Sequence, residues 1–233
     1  MINLVKIALE DVQEAFDIKE NLFENYFREI EKDPDLLSLI DRRQNFGDWQ
    51  EKTPLGGPGT SLNGIVLYCI IRHYRLLCAT ETGVSGGFYS ALMLAALSKN
   101  FEEIDYYSAL TSFEISDDKE KIEKLVPEKL KQAWDLRTGT DSLEMLDGRV
   151  NEDLYCHDSL HTYKHMLAEL QEFKKCEGDR FFIYIDDQDT DDFWRRCLYL
   201  KLFDKKGYNV KYISGSESRL SGHLGGFIKY EKA

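Results

Sequence analysis

The segment Thr80-Glu81-Thr82-Gly83-Val84-Ser85-Gly86-Gly87-Phe88-Tyr89-Ser90 joins an apolar run, Leu76 to Ala79, to a helix-like run, Ala91 to Leu97. A strand, a tight glycine turn and a helix, in that order, build a pocket for a nucleotide-sized ligand. Glycines let the backbone approach a ligand closely, and the first turn of the helix offers free N–H groups. The spacing narrows the choice. A dinucleotide fingerprint reads G-x-G-x-x-G, whereas Gly83 is followed by Val84, Ser85 and the pair Gly86-Gly87; the Lys and Ser/Thr of a triphosphate loop are missing as well. Glu81 would repel a pyrophosphate and welcome a cation or hydroxyl groups.

These residues point away from NAD and nucleoside triphosphates and toward S-adenosylmethionine, with an ordinary turn in an α/β domain as the plain alternative. At 233 residues, 42% of them hydrophobic, the chain fits one α/β domain plus an appendage. The formal net charge of -12 argues against nucleic-acid and anionic-membrane partners. No stretch approaches the roughly 20 apolar residues of a membrane span, and the N-terminus has no signal-peptide core, so a cytoplasmic protein is expected. Cys69, Cys78, Cys156, Cys176 and Cys197 are scattered and form no C-x-x-C pair, which reads as reduced, buried thiols.

Leu9, Val12, Phe16, Leu22, Phe23, Tyr26, Phe27 and Ile30 recur near a helical period across residues 9–31. Residues 1–52 are therefore expected to form a helical arm and lid, packed on the main domain and a candidate homo-oligomer contact, ahead of a Rossmann-like domain at 53–233. The Gly/Pro-rich segment Thr53 to Ser61 separates the two as a loop, and a helix is expected over Leu62 to His73. Strands are expected near Leu76 to Thr80, Ile104 to Leu110, Ala133 to Thr138, Leu154 to His157, Phe181 to Ile185, Val210 to Ser214 and Gly226 to Tyr230. Helical runs separate most of them. The alternation predicts an α/β fold with a doubly wound, mostly parallel seven-stranded sheet closed by a C-terminal antiparallel hairpin, with ligands outside the carboxyl ends of the strands.

Two of these strands end in acid: His157-Asp158-Ser159-Leu160-His161 follows one, and Asp186-Asp187 follows the next. Neighbouring parallel strands lie about 5 Å apart, so Asp158, Asp186 and Asp187 can converge on one hard cation, for which oxygen ligands suit Mg²⁺. Asp158 and His161 are three apart at the start of a helix and can face one pocket. A helix N-terminus and a nearby cation both keep an imidazole neutral, which makes His161 a candidate general base. Helix capping is the structural alternative for each acidic strand end taken singly.

Glu81-Thr82-Gly83-Val84-Ser85-Gly86-Gly87, His157-Asp158-Ser159-Leu160-His161-Thr162-Tyr163 with Glu169, and Ile185-Asp186-Asp187 together resemble class I S-adenosylmethionine-dependent methyltransferases, closest to the metal-dependent sugar O-methyltransferases of the macrocin type. The resemblance runs from about Gly59 to Gly225-Gly226 and includes Arg137-Thr138-Gly139-Thr140-Asp141-Ser142. It implies that Glu81, Gly83, Val84, Ser85, Gly86, Ser90 and Asp158 line the cofactor and that Asp141 and Ser142 lie near its adenine. Asp158, Asp186 and Asp187 would hold Mg²⁺, and His161 with Asp158 would carry methyl transfer to a hydroxyl of a small acceptor, glycosidic ones included. The family places an acid at the end of the second strand for the ribose hydroxyls. On the register above that position falls on Leu110, with Glu114 beyond the strand. This departure leaves open a second reading, a non-catalytic member that binds ligands or partners.

Overall fold

The computed structural model describes residues 2–18, 22–44, 58–101, 110–139, 141–144, 153–173, 179–186, 207–213 and 225–233. Seven strands form one sheet: β1 (Ala79–Thr82), β2 (Leu110–Glu114), β3 (Trp134–Thr138), β4 (Leu154–His157), β5 (Arg180–Ile185), β6 (Tyr208–Ile213) and β7 (Gly226–Lys232). Their order is β3-β2-β1-β4-β5-β7-β6. β1 to β5 run parallel, and β7 is antiparallel to both β5 and β6, as the expected closing hairpin requires. The chain winds outward from β1 to β3 in one direction and from β4 in the other. The switch point therefore falls between β1 and β4, and a crevice opens there at the carboxyl ends.

Side-chain alternation sorts the strands onto two cores. Leu154 and Cys156 of β4 and Phe182 and Tyr184 of β5 face a cluster shared with α4 (Pro58–Tyr74) and α5 (Phe88–Asn100). Tyr155, Phe181, Ile183 and Ile185 face the other side, where α7 (Tyr163–Phe173), the next α-helix in the chain after the one-turn α6 (Lys119–Ile122), contributes Met166, Leu170 and Phe173. Helices thus cover both faces, which is why β5, Arg180–Ile185, reads as a nearly continuous apolar run after its first residue. α5 is buried from Phe88 to Leu97 and packs between sheet and α4; such a helix has no polar face to give to water.

The arm is three helices, α1 (Ile2–Ala15), α2 (Leu22–Glu31) and α3 (Pro34–Gln44), where one periodic run over 9–31 had been expected. α1 stops because Asp17 adopts φ 54°. The amides of Asp17 and Ile18 turn back to Glu14 and Gln13 carbonyls, satisfying the helix end. The apolar stripe continues across the break: Leu9, Val12, Phe16, Phe23, Phe27 and Ile30 are all buried in the cluster that holds α4. Each such side chain contributes about 2 kcal/mol of burial. Glu29 adds a polar clamp, accepting from Tyr68 Oη at 2.9 Å and Arg72 Nε at 2.9 Å. Among the described residues no helix is long and apolar enough to cross a membrane. Cys69 and Cys156 are buried free thiols, whereas Cys176 and Cys197 lie outside the described residues.

The second strand corrects the sequence register. β2 starts at Leu110, level with Ala79, the first residue of β1, and Phe113 is level with Thr82. Glu114 is the last residue of β2, paired with Thr138 at the carboxyl end of β3. Leu110 opens the strand instead of closing it, and residues 104–109 lie outside the described residues.

Candidate functional site

β1 delivers the glycine turn to the switch point. Gly83 adopts φ 79° and donates its N–H to the Phe113 carbonyl at 2.9 Å. A Cβ at this position would sit 2.1 Å from the Asp158 carbonyl oxygen, so the turn and the end of β4 touch backbone to backbone. Gly87, also at φ 79°, caps α5; a Cβ there would meet Val126 and the Ile122 carbonyl at 2.7 and 2.8 Å. Both positions call for glycine because the left-handed region and the missing space each exclude a side chain.

Glu114 rises at the end of β2 and holds this turn. Its Oε2 accepts the Val84 and Ser85 amides, each at 2.9 Å, and its Oε1 accepts the Ser116 amide at 3.1 Å. The next residue, Ile115, is 75% exposed and sets an apolar surface beside the carboxylate. The acid that sequence reasoning found missing is thus in place. Its one signal was the acid Glu114 directly after Phe113, overshadowed by the aromatic run before Leu110.

Two residues expected to line the cofactor turn inward. Glu81 is 1% exposed and accepts from Ser112 Oγ at 2.6 Å and Ser90 Oγ at 2.7 Å, while Trp134 Nε1 donates to the same Ser112. Burial pushes the Glu81 carboxyl up to about 7, with those hydrogen bonds opposing the shift and nearby Glu114 adding to it. Because 7 lies above the ordinary 4.5, the folded state keeps a proton that the unfolded chain releases in between. That contribution is complete below pH 4.5 and is lost as the pH rises through 7. Glu81→Gln should therefore flatten the stability–pH profile across this window and raise stability at pH 8 by about 3 kcal/mol relative to wild type, as read by denaturant unfolding. An unchanged slope would contradict the buried-acid assignment.

The third strand leads into a short 3₁₀ turn, Ser142–Glu144, where Asp141 Oδ1 accepts the Leu143 amide at 2.9 Å and Ser142 Oγ donates to Glu169. Asp158 leaves β4 with its amide on the Thr82 carbonyl at 2.8 Å. Its carboxyl is raised by burial and by the adjacent Asp186, against the hydrogen bond from His161, whose Nε2 lies 3.5 Å from Asp158 Oδ1. Asp186, at the end of the neighbouring β5, accepts from Tyr184 Oη at 2.5 Å, Tyr89 Oη at 3.1 Å and Asn63 Nδ2 at 3.4 Å. Asn63 also binds the Gly225 amide at 2.9 Å, so α4 and the start of β7 both brace this acid.

The structure therefore brings Asp158, Asp186 and His161 together, with Gly83 in backbone contact with Asp158. Asp187 lies outside the described residues, and among those described no group of three or more His, Cys, Asp or Glu is arranged to hold a metal ion. Asn63, Tyr89 and Tyr184 were not anticipated. Tyr184 reads as core in its strand, and Asn63 is 123 residues from its partner.

No protein-family model matches the sequence, and no curated protein matches it significantly. The backbone does have counterparts among solved structures. A putative O-methyltransferase from Klebsiella pneumoniae superposes with TM-score 0.57 at 16% identity, over 86% of this chain and 91% of that one. The O-methyltransferase TomG from Streptomyces achromogenes, involved in tomaymycin synthesis and solved with SAM, gives 0.55 at 16% over 87% and 91%. The O-methyltransferase from Bacillus cereus, in complex with SAH, gives 0.53 at 15% over 96% of each chain. The fold is the Rossmann-like methyltransferase fold.

Proposed function

We propose that the chain is an S-adenosylmethionine-dependent O-methyltransferase that acts on a hydroxyl of a small acceptor, glycosidic acceptors included, with Mg²⁺ assistance. The observation that carries this reading is Glu114 at the carboxyl end of β2, holding the Val84 and Ser85 amides across the switch point from Asp158. A carboxylate there would accept from ribose hydroxyls, and exposed Ile115 beside it would offer an apolar face to adenine, near which the turn that holds Asp141 and Ser142 would also lie. The departure that favoured a non-catalytic member rested on Leu110, which begins the strand.

Asp158 and Asp186 fit a hard cation: both offer oxygen, the Asp186 charge adds to the burial that raises the Asp158 carboxyl, and among the described residues neither has a Lys or Arg partner. These two, with Asp187 from the sequence, would hold Mg²⁺. When bound, S-adenosylmethionine supplies a sulfonium methyl and Mg²⁺ lowers the pKa of an oriented hydroxyl. The chain's own part would be the base: His161 would take the acceptor hydroxyl's proton as that oxygen is methylated. The Asp158 carboxylate beside its ring stabilises the imidazolium that results. Tyr89, Tyr184 and Asn63 keep Asp186 in place, so positioning supplies most of the rate.

Transfer of radiolabelled methyl from S-adenosylmethionine to a panel of sugar and phenol acceptors, with and without Mg²⁺, tests the reading. His161→Ala should lower kcat by about 10²-fold or more, and Asp186→Ala should remove stimulation by Mg²⁺. Full metal-stimulated activity in Asp186→Ala would remove the metal role, and an unchanged chemical step in His161→Ala would remove the base.

A further inference from the structure

Among the described residues, the carboxylate with the densest set of hydrogen-bond partners is Glu169 of α7, which is completely buried. Its carboxylate meets Tyr155 Oη at 2.5 Å, His157 Nδ1 at 2.7 Å, Ser159 Oγ at 2.9 Å, His165 Nε2 at 3.0 Å and Thr82 Oγ1 at 3.2 Å, and it also accepts from Ser142 Oγ. These donors come from β1, the 3₁₀ turn after β3, β4, the loop after it and α7 itself. Burial alone would raise this acid, but the hydrogen bonds from His157 and His165 hold it well below the usual carboxylate range.

An ionised carboxylate can only accept. The His157 ring thereby carries a hydrogen on Nδ1, and His165 carries one on Nε2. A buried charge is a poor way to add stability, since an apolar side chain between Met166 and Leu170 would pack there without desolvation. What the carboxylate does, and a leucine could not, is fix directions. It joins Ser142, next to Asp141, to His157 and Ser159, the two neighbours of Asp158.

We propose that Glu169 is a positioning residue that sets the adenine-side turn and the Asp158 loop in one register by accepting from both. This rests on the methyltransferase reading above and deepens it: Glu169 touches neither cofactor nor acceptor, yet cofactor affinity depends on it. The ties to Ser142 and Ser159 act on one bound molecule from opposite ends, so loosening them together weakens binding more than loosening either alone.

The test uses the full chain, with S-adenosylhomocysteine as probe in calorimetric titration and ¹⁵N histidine NMR as the structural readout. The His157 signals are assigned by their loss in His157→Asn. Wild type should bind and show His157 with a hydrogen on Nδ1. Glu169→Gln, folded by circular dichroism, should bind about 10-fold or more weakly, because its amide N–H groups face donors, and its His157 should shift toward the other tautomer. Glu169→Asp should recover part of the loss. A folded Glu169→Gln that binds as tightly as wild type with an unchanged His157 spectrum overturns the proposal. If Glu169→Gln does not fold, the wild-type spectrum decides, and a His157 hydrogen on Nε2 with bare Nδ1 overturns it. A wild-type chain that binds no S-adenosylhomocysteine overturns the methyltransferase reading itself, and the positioning role falls with it; that failure is visible before any variant is made.

Discussion

Gly83→Ala should abolish S-adenosylhomocysteine binding and lower the unfolding free energy by about 4 kcal/mol, roughly 10 °C in Tm for a chain of this length. Two independent costs add. At φ 79° an alanine pays the left-handed penalty, and its methyl carbon would lie 2.1 Å from the Asp158 carbonyl oxygen and 2.7 Å from the Ser159 nitrogen. Backbone on both sides is tied down, since Gly83 N–H binds Phe113 and Asp158 N–H binds Thr82. The clash can be relieved only by moving the β4–α7 loop, which carries Asp158 away from Asp186. Thermal unfolding and titration together check this. A variant within about 1 kcal/mol of wild type that still binds would mean the turn and loop are not in the contact described.

Glu114→Ala should leave the fold intact and weaken S-adenosylhomocysteine binding by about 100-fold. Hydrogen bonds to a charged acceptor are worth about 1.5–3 kcal/mol, and a factor of 100 corresponds to about 2.7 kcal/mol. The variant also frees the Val84 and Ser85 amides, so the loop that faces the cofactor loses its anchor. Glu114→Gln keeps an acceptor oxygen without the charge and should fall between, about 10-fold down. Leu110→Ala, at the other end of the same strand, should change stability and not affinity, because Leu110 is wholly buried in the core. Affinity that follows Leu110 instead of Glu114 would restore the sequence register and undo the assignment.

Much of this architecture is legible in the chain. β3, β4, β5 and β7 were placed within about two residues because branched and aromatic runs bounded by turn residues mark them. The convergence of Asp158 and Asp186 followed from acids at the ends of strands that the fold class makes neighbours, and β4 and β5 do pair. The misreadings have physical causes. Tyr106-Tyr107 gave the stretch before Leu110 a stronger strand signal than Thr111-Ser112, and only pairing with β1 sets the true register. The stripe over 9–31 looked continuous because both helices pack on the same α4, while the break at Asp17 is a matter of one dihedral angle. Glu81 and Ser90 sit in a motif that faces a ligand, yet both are satisfied from within by Ser112 and by each other. Asn63 carried no signal at all, since its partner Asp186 is brought to it only by the fold.

Calorimetric titration of S-adenosylhomocysteine into the wild-type chain, with Glu114→Ala alongside, bears most directly on the central claim that this switch point holds a methyl donor. The account predicts micromolar, one-to-one binding by wild type and about 100-fold weaker binding by the variant. A folded wild-type chain that takes up no S-adenosylhomocysteine would contradict it and leave the fold carrying some other function.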